Sequence, residues 1–115
     1  MLRGDIYLAD LDPAQGSEAD KRRPVVIVSN DGANTTASMM QRGVVTVVPV
    51  TSNVARVYPF QVLLPAAEVG LDRDSKAQAE QVRSITVSRL GEQVGLLTAS
   101  LSEKLDDALR LHLSI

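Results

Sequence analysis

The sequence has no cysteine and no tryptophan, a single histidine (His112), and only Tyr7, Tyr58 and Phe60 as aromatics. Without cysteine there are no disulfides, thiolate metal sites or thiol nucleophiles. One histidine cannot build an imidazole zinc cluster, and the Ser–His–Asp and Cys–His arrangements of nucleophilic catalysis have little to draw on. Neither a glycine-rich phosphate loop nor the carboxylate density of a calcium loop occurs: Gly4, Gly16, Gly32 and Gly43 are isolated, and Asp72-Arg73-Asp74 is too sparse. No metal and no cofactor is therefore expected. Long apolar runs are missing too. The longest, Val25–Val28 and Val44–Val50, are far too short to span a bilayer, and the start lacks a signal core, so a cytoplasmic location is the expectation.

What is present is one domain's worth of chain. The 115 residues, 44% hydrophobic, predict a single packed domain over 1–115 whose core is mostly aliphatic. A domain this small makes self-association a reasonable expectation. The net charge of −2 exerts no global pull on nucleic acid. Its distribution is uneven: residues 1–20 carry one base against five acids, while 21–99 carry nine bases against six acids. A basic middle in an acidic protein can form a local phosphate-binding face, although ordinary solvated charges give the same count.

The hydrophobic pattern predicts many short strands and one terminal helix. Ile6–Ala9, Val25–Val28, Val44–Val50, Phe60–Leu64, Ser75–Glu80 and Gln93–Leu97 read as strands. Pro49 suggests an edge or a bulge. Ala14–Arg23 reads as a polar loop and Asn30–Gln41 as a second loop with at most one helical turn. Ala66–Gly70 reads as a turn of helix capped by Gly70. From Ser100, an S-x-x-E capping box with Glu103 predicts a helix that turns Leu101, Leu105, Ala108, Leu109 and His112 to one face. The fold class expected is α+β, mainly β: a small barrel or curled sheet with a helix packed on it.

The chemistry available is arginine, threonine, serine and carboxylates. That set suits phosphoryl transfer on RNA, where the substrate's own 2′-hydroxyl is the nucleophile and the protein positions and neutralises phosphate. Lys21-Arg22-Arg23-Pro24 is the most suggestive basic cluster, with a solubilising charge run as the alternative. Pro24 confines the Arg23 backbone to extended conformations, so its guanidinium is held at a strand mouth and can offer a planar fork to phosphate. Thr51, after Pro49-Val50, reads by itself as a turn residue.

In order along the chain, Arg3-Gly4-Asp5-Ile6-Tyr7 with Asp10-Leu11-Asp12-Pro13, Gly16-Ser17-Glu18, Arg23-Pro24-Val25-Val26-Ile27-Val28-Ser29-Asn30, Pro49-Val50-Thr51-Ser52 and Glu80-Gln81-Val82-Arg83-Ser84-Ile85 resemble the MazF/PemK/Kid family of toxin endoribonucleases. The resemblance spans nearly the whole chain. It implies an SH3-like β-barrel assembled as a homodimer, metal-independent cleavage of single-stranded RNA to a 2′,3′-cyclic phosphate and a 5′-hydroxyl, and inhibition by a cognate antitoxin. It also implies that Arg23 and Thr51 form the catalytic pair. Kid-like relatives use an arginine and an acid in the later strand; here Gln78 and Glu80 occupy those positions. Glu80 is a candidate general base, the alternative being a structural ion pair with Arg83. Ser17, Glu18, Lys21, Ser52, Asn53, Gln78 and Arg83 are candidate RNA contacts. Two other readings compete. One is a toxin of this fold that binds a protein target such as gyrase; the other is a non-catalytic RNA-binding barrel, which so few aromatic stacking platforms disfavour.

Overall fold

The computed structural model describes residues 1–115. Seven strands form one antiparallel sheet: β1 (Asp5–Asp10), β2 (Arg22–Ile27), β3 (Val44–Thr51), β4 (Gln61–Leu64), β5 (Ser75–Gln78), β6 (Arg83–Thr86) and β7 (Leu90–Leu96). Helices α1 (Asp31–Met40), α2 (Ala66–Val69) and α3 (Ala99–Leu113) and two 3-10 turns, Ala79–Gln81 and Val87–Arg89, complete it. The strand order is β4-β5-β3-β2-β1-β7, with β6 also paired to β3. The mainly-β α+β class stands, but β4 and β7 end the order without pairing to each other. The sheet is curled and not closed into a strict barrel.

β3 is the hub. One edge pairs with β2, Val25 opposite Pro49, while the other is shared by β6 along Val44–Val47 and by β5 at Val50–Thr51. Pro49 thus sits inside a central strand and not at a sheet edge. It falls where β6 has ended and β5 has not begun, so its missing N–H costs no ladder bond on that side. Neighbouring valines explain why β2 and β3 read as unbroken apolar runs: Val26 and Val48 pack beneath α3, whereas Val25 and Val47 pack on the opposite face with Leu11, Ala19 and Ala37. Both faces are covered.

Three local expectations change. Asn30–Gln41 is not a loop but the ten-residue helix α1, whose N-cap Asn30 accepts from the Ala33 amide at 2.9 Å. Its periodicity is weak because only Asn34 and Ala37 are buried. Asn34 is tied down by donating to the Ser29 carbonyl (2.8 Å), and Ser29 Oγ accepts from the Thr46 amide of β3. The cap of α3 is Thr98, whose hydroxyl accepts from the Leu101 amide at 3.2 Å, so Ser100 and Glu103 lie inside the helix and form no capping box. Leu101, Leu105, Ala108 and Leu109 are buried as expected, but His112 is exposed in the final turn. The short helix at Ala66 with Gly70 as its cap is present, the Gly70 amide donating to the Ala66 carbonyl at φ 85°.

The polar loop is shorter than expected because Arg22 and Arg23 belong to β2. Residues 11–21 are also well anchored. Leu11 and Ala19 are buried, and Arg89 Nη1 donates to the carbonyls of Asp10 (3.0 Å) and Asp12 (2.6 Å). The Gln81 side chain clamps the loop by donating to the Ser17 carbonyl (2.9 Å) and accepting from the Ala19 amide (3.0 Å).

Candidate active site

An open groove of about 700 Å3 runs where the start of β2, the end of β3, the α2–β5 turn and β7 come together. Arg23, Thr51 and Ser52 line it, together with Arg22, Asp72, Arg73 and Glu92. Antiparallel register explains the first pair. The last β2–β3 pair is Val25 opposite Pro49; extending that register two residues leads to Arg23 and Thr51, and both line the groove.

Arg23 is held by its own loop as well as by Pro24. Nε donates to the Asp20 carbonyl (2.7 Å) and Nη2 pairs with the Asp20 carboxylate (3.0 Å). Nη1 is left without a protein partner, a donor edge free to meet an anion. Thr51 Oγ1 accepts from the Asn53 amide at 3.2 Å, so it does organise a turn. A hydroxyl that accepts one bond still has its own proton to donate, and Thr51 can do both. Asn53 Oδ1 accepts from the Ala55 amide (3.3 Å) and stabilises the same turn.

The other candidates lie elsewhere. Glu18 Oε1 accepts from the Gln15 amide (2.7 Å), a cap within its own turn, and Ser17 is held through its carbonyl by Gln81. Lys21 is exposed at a positive φ of 65°, its amide donating to Asp12. Gln78, Glu80 and Arg83 are half-buried and do not line the groove. Glu80 Oε2 accepts from Gln61 Nε2 at 2.6 Å, while Glu80 Oε1, Gln78 Oε1 and Arg83 Nη1 are buried without partners. The anticipated Glu80–Arg83 ion pair is absent; the salt bridges are Arg3–Asp106, Arg23–Asp20 and Arg110–Asp107.

Arg22 belongs to the basic cluster that the sequence marks out but is not assigned there to the site, and Arg73 is a groove residue that the sequence reading missed. Arg22 lies over the β7 backbone at Gly91, where a Cβ would come within 2.8 Å of its Nη2. A larger residue there would push the flexible end of Arg22 aside. Arg73 arrives from the α2–β5 turn, whose closeness to β7 rests on Gly95: a Cβ there would collide with the Val69 carbonyl oxygen. No three His, Asp or Glu side chains converge in a way that could hold a metal ion. No helix is long and apolar enough to cross a membrane. Burial and, secondarily, the charge of Asp5 push the Tyr7 hydroxyl above its ordinary pKa.

Residues 2–113 match the family model described as PemK-like, MazF-like toxin of type II toxin–antitoxin system. The chain belongs to this family. Endoribonuclease MazF9 of Mycobacterium tuberculosis is 59% identical over 115 residues, covering 100% of this chain and 98% of that protein. MazF (Form-I) from Deinococcus radiodurans superposes with a TM-score of 0.82 at 27% identity, covering 100% of this chain and 97% of that one. A MazE–MazF crystal structure (Form-II) from the same organism superposes at 0.73 with 25% identity, covering 100% and 96%. The two solved structures share the overall fold of this chain.

Proposed function

We propose that this MazF-like chain is a toxin endoribonuclease that cleaves single-stranded RNA, mRNA included, at short sequences without a metal ion. It acts as one domain over residues 1–115, as a homodimer, and is restrained by a cognate antitoxin. The observation that carries the reading is the pairing of Arg23 and Thr51 across one open groove, with Nη1 of Arg23 unengaged. The family and a full-length relative named as an endoribonuclease support it.

The reaction is transesterification. The 2′-hydroxyl of one nucleotide attacks its own phosphorus, the bond to the 5′-oxygen of the next nucleotide breaks, and a 2′,3′-cyclic phosphate and a 5′-hydroxyl result. Negative charge grows on the non-bridging oxygens of the phosphorane. Arg23, fixed by Asp20, meets that charge without reorganising, which is where an electrostatic catalyst gains most. It does not serve as the acid, because a guanidinium holds its proton too tightly to hand it over. Thr51 donates to a phosphate oxygen or orients the 2′-hydroxyl. Arg22 and Arg73 neutralise flanking phosphates, and Ser52 and Asn53 contact the strand where it leaves the reacting centre. Ser17, Glu18 and Lys21 border the approach to it. Gln78, Glu80 and Arg83 contribute through a polar belt beneath the β3–β4 loop, with proton transfer at Glu80 open to direct test.

A mixed-sequence RNA pool incubated with the protein in excess EDTA tests the proposal. Fragments with 5′-hydroxyl ends are expected from the wild type, and a fall of about 10²–10³-fold in rate for Arg23→Ala. No turnover in chelator, or an undiminished Arg23→Ala rate, would overturn it. Undiminished toxicity of that variant would redirect attention to a protein target.

A further inference from the structure

We infer that the Tyr58 ring is a stacking platform for one base of the RNA strand, a subsite separate from the Arg23–Thr51 centre; this rests on the ribonuclease reading above. The chain has three aromatics, and the fold puts two of them together. Tyr58 and Phe60 stack in parallel, centroids 5.4 Å apart and planes 8° from coplanar. Phe60 is half-buried while Tyr58 is 42% exposed, so the pair is a backed surface with one ring toward solvent.

The ring is also fixed. The Tyr58 amide donates to Gln61 Oε1 (3.1 Å), and Gln61 is itself held by Glu80. Lys76, only 8% exposed, donates from Nζ to the Arg56 carbonyl at 2.6 Å and lies 5.8 Å from the Tyr58 centroid. An ammonium that deep in a protein is kept there by its partners, here a loop carbonyl and an aromatic face. Lys76 opposes Thr51 in the β3–β5 register, so one lysine links the reacting strand end to the platform. A strand bound at Thr51 and continuing along the β3–β4 loop reaches Tyr58.

Arg56 supplies the last part. Its guanidinium sits 5.6 Å from the Tyr58 centroid and makes only a 3.4 Å contact with the Tyr58 hydroxyl. It is exposed and has no carboxylate partner. Base–aromatic stacking is stronger than an exposed cation–π contact, so a base displaces the guanidinium, which then turns to a neighbouring phosphate. Every base has a π-face, so this subsite adds affinity with little sequence preference.

The test compares wild type, Tyr58→Leu and Tyr58→Phe on the mixed RNA pool. Stacking that persists through the reaction raises KM when lost and spares kcat. Tyr58→Leu is expected to raise KM about tenfold or more with kcat within about twofold, and Tyr58→Phe to keep the wild-type KM. With no tryptophan and two tyrosines, intrinsic tyrosine fluorescence is a second readout. A fully 2′-O-methylated oligoribonucleotide, which cannot be cleaved, is expected to quench wild-type emission and to leave the residual Tyr7 emission of Tyr58→Phe unchanged. A folded Tyr58→Leu with wild-type KM, or RNA binding without quenching, would overturn the platform, whether or not Tyr58 touches an antitoxin. A wild type that neither cleaves nor binds RNA would instead sink the ribonuclease reading.

Discussion

Two polar regions of this molecule are built on opposite plans. In the groove, five charged side chains line an open surface, and the one ion pair they make, Arg23 with Asp20, leaves a guanidinium edge open. In the belt beneath the β3–β4 loop, polar groups are numerous and buried, and three of their atoms are unsatisfied. A free donor facing a groove is hydrated, and an anionic substrate displaces that water by offering a charge-assisted bond. A buried unpartnered atom has lost its water already and gains from anything that supplies a partner. The groove thus presents donors that an anion can reach, while the belt holds a loop in place and remains sensitive to what binds it.

The largest effect expected from this contrast is kinetic and confined to the groove. Arg23→Ala removes the guanidinium proposed to meet the reacting phosphate, with the loss of about 10²–10³-fold given above. Its ion pair is partly solvated, so stability is expected to fall by no more than about 1 kcal/mol, read from the midpoint of urea unfolding. A collapse in stability of several kcal/mol would mean that Arg23 is structural, and the contrast between the two regions would disappear.

Next comes Gly95→Ala, which perturbs the groove wall and leaves the belt alone. The added methyl collides with the Val69 carbonyl, so α2 and the turn bearing Asp72 and Arg73 must move away from β7. Overpacking of this kind costs about 1–3 kcal/mol. KM is expected to rise as Arg73 is displaced, with the Arg23–Thr51 register intact. Wild-type stability in this variant would show that α2 is not wedged against β7 as described.

How far these features were legible follows from the range over which each is determined. Val25–Val28 and Val44–Val50 announce themselves because both faces of β2 and β3 are covered. Helix α1 does not, since only Asn34 and Ala37 turn inward and a buried asparagine looks like a loop residue. Thr98 was passed over because Ser100 and Glu103 offer the same capping chemistry two residues later. Arg23 stood out locally, through Pro24, but its place opposite Thr51 needed the β2–β3 register. Arg22 showed only as a member of the basic cluster and Arg73 not at all, because contacts with β7, at Gly91 and Gly95, bring them to the groove. The Glu80–Arg83 pairing, reasonable from spacing, fails because a 3-10 turn separates β5 from β6 and gives Glu80 to Gln61 instead.

Glu80→Gln challenges the comparison directly. Replacing the carboxylate converts a charge-assisted bond from Gln61 into a neutral one, a loss of about 1 kcal/mol. If the belt only holds the loop, kcat falls less than about tenfold and the pH–rate profile keeps its shape. A loss of about 10² or more, with the acidic limb of the profile abolished, would make Glu80 the general base and move part of the chemistry into the belt.

The smallest effect belongs to Tyr7, which faces neither region's chemistry. It lies on β1 opposite Val25 and Gln93, packed against the core cluster of Ala9, Leu11 and Val25. Burial and Asp5 raise its pKa above 10.0, so the folded state favours the protonated phenol. That preference stabilises the fold fully below pH about 10 and is lost as pH climbs through the raised value, because folding then opposes ionisation. Urea midpoints measured from pH 8 to 11 are expected to decline more steeply for the wild type than for Tyr7→Phe. Since Tyr7 spans β1 between β2 and β7, any loss of cleavage should track the loss of folded protein. Parallel declines in both proteins would show that Tyr7 ionises as freely in the fold as in the unfolded chain.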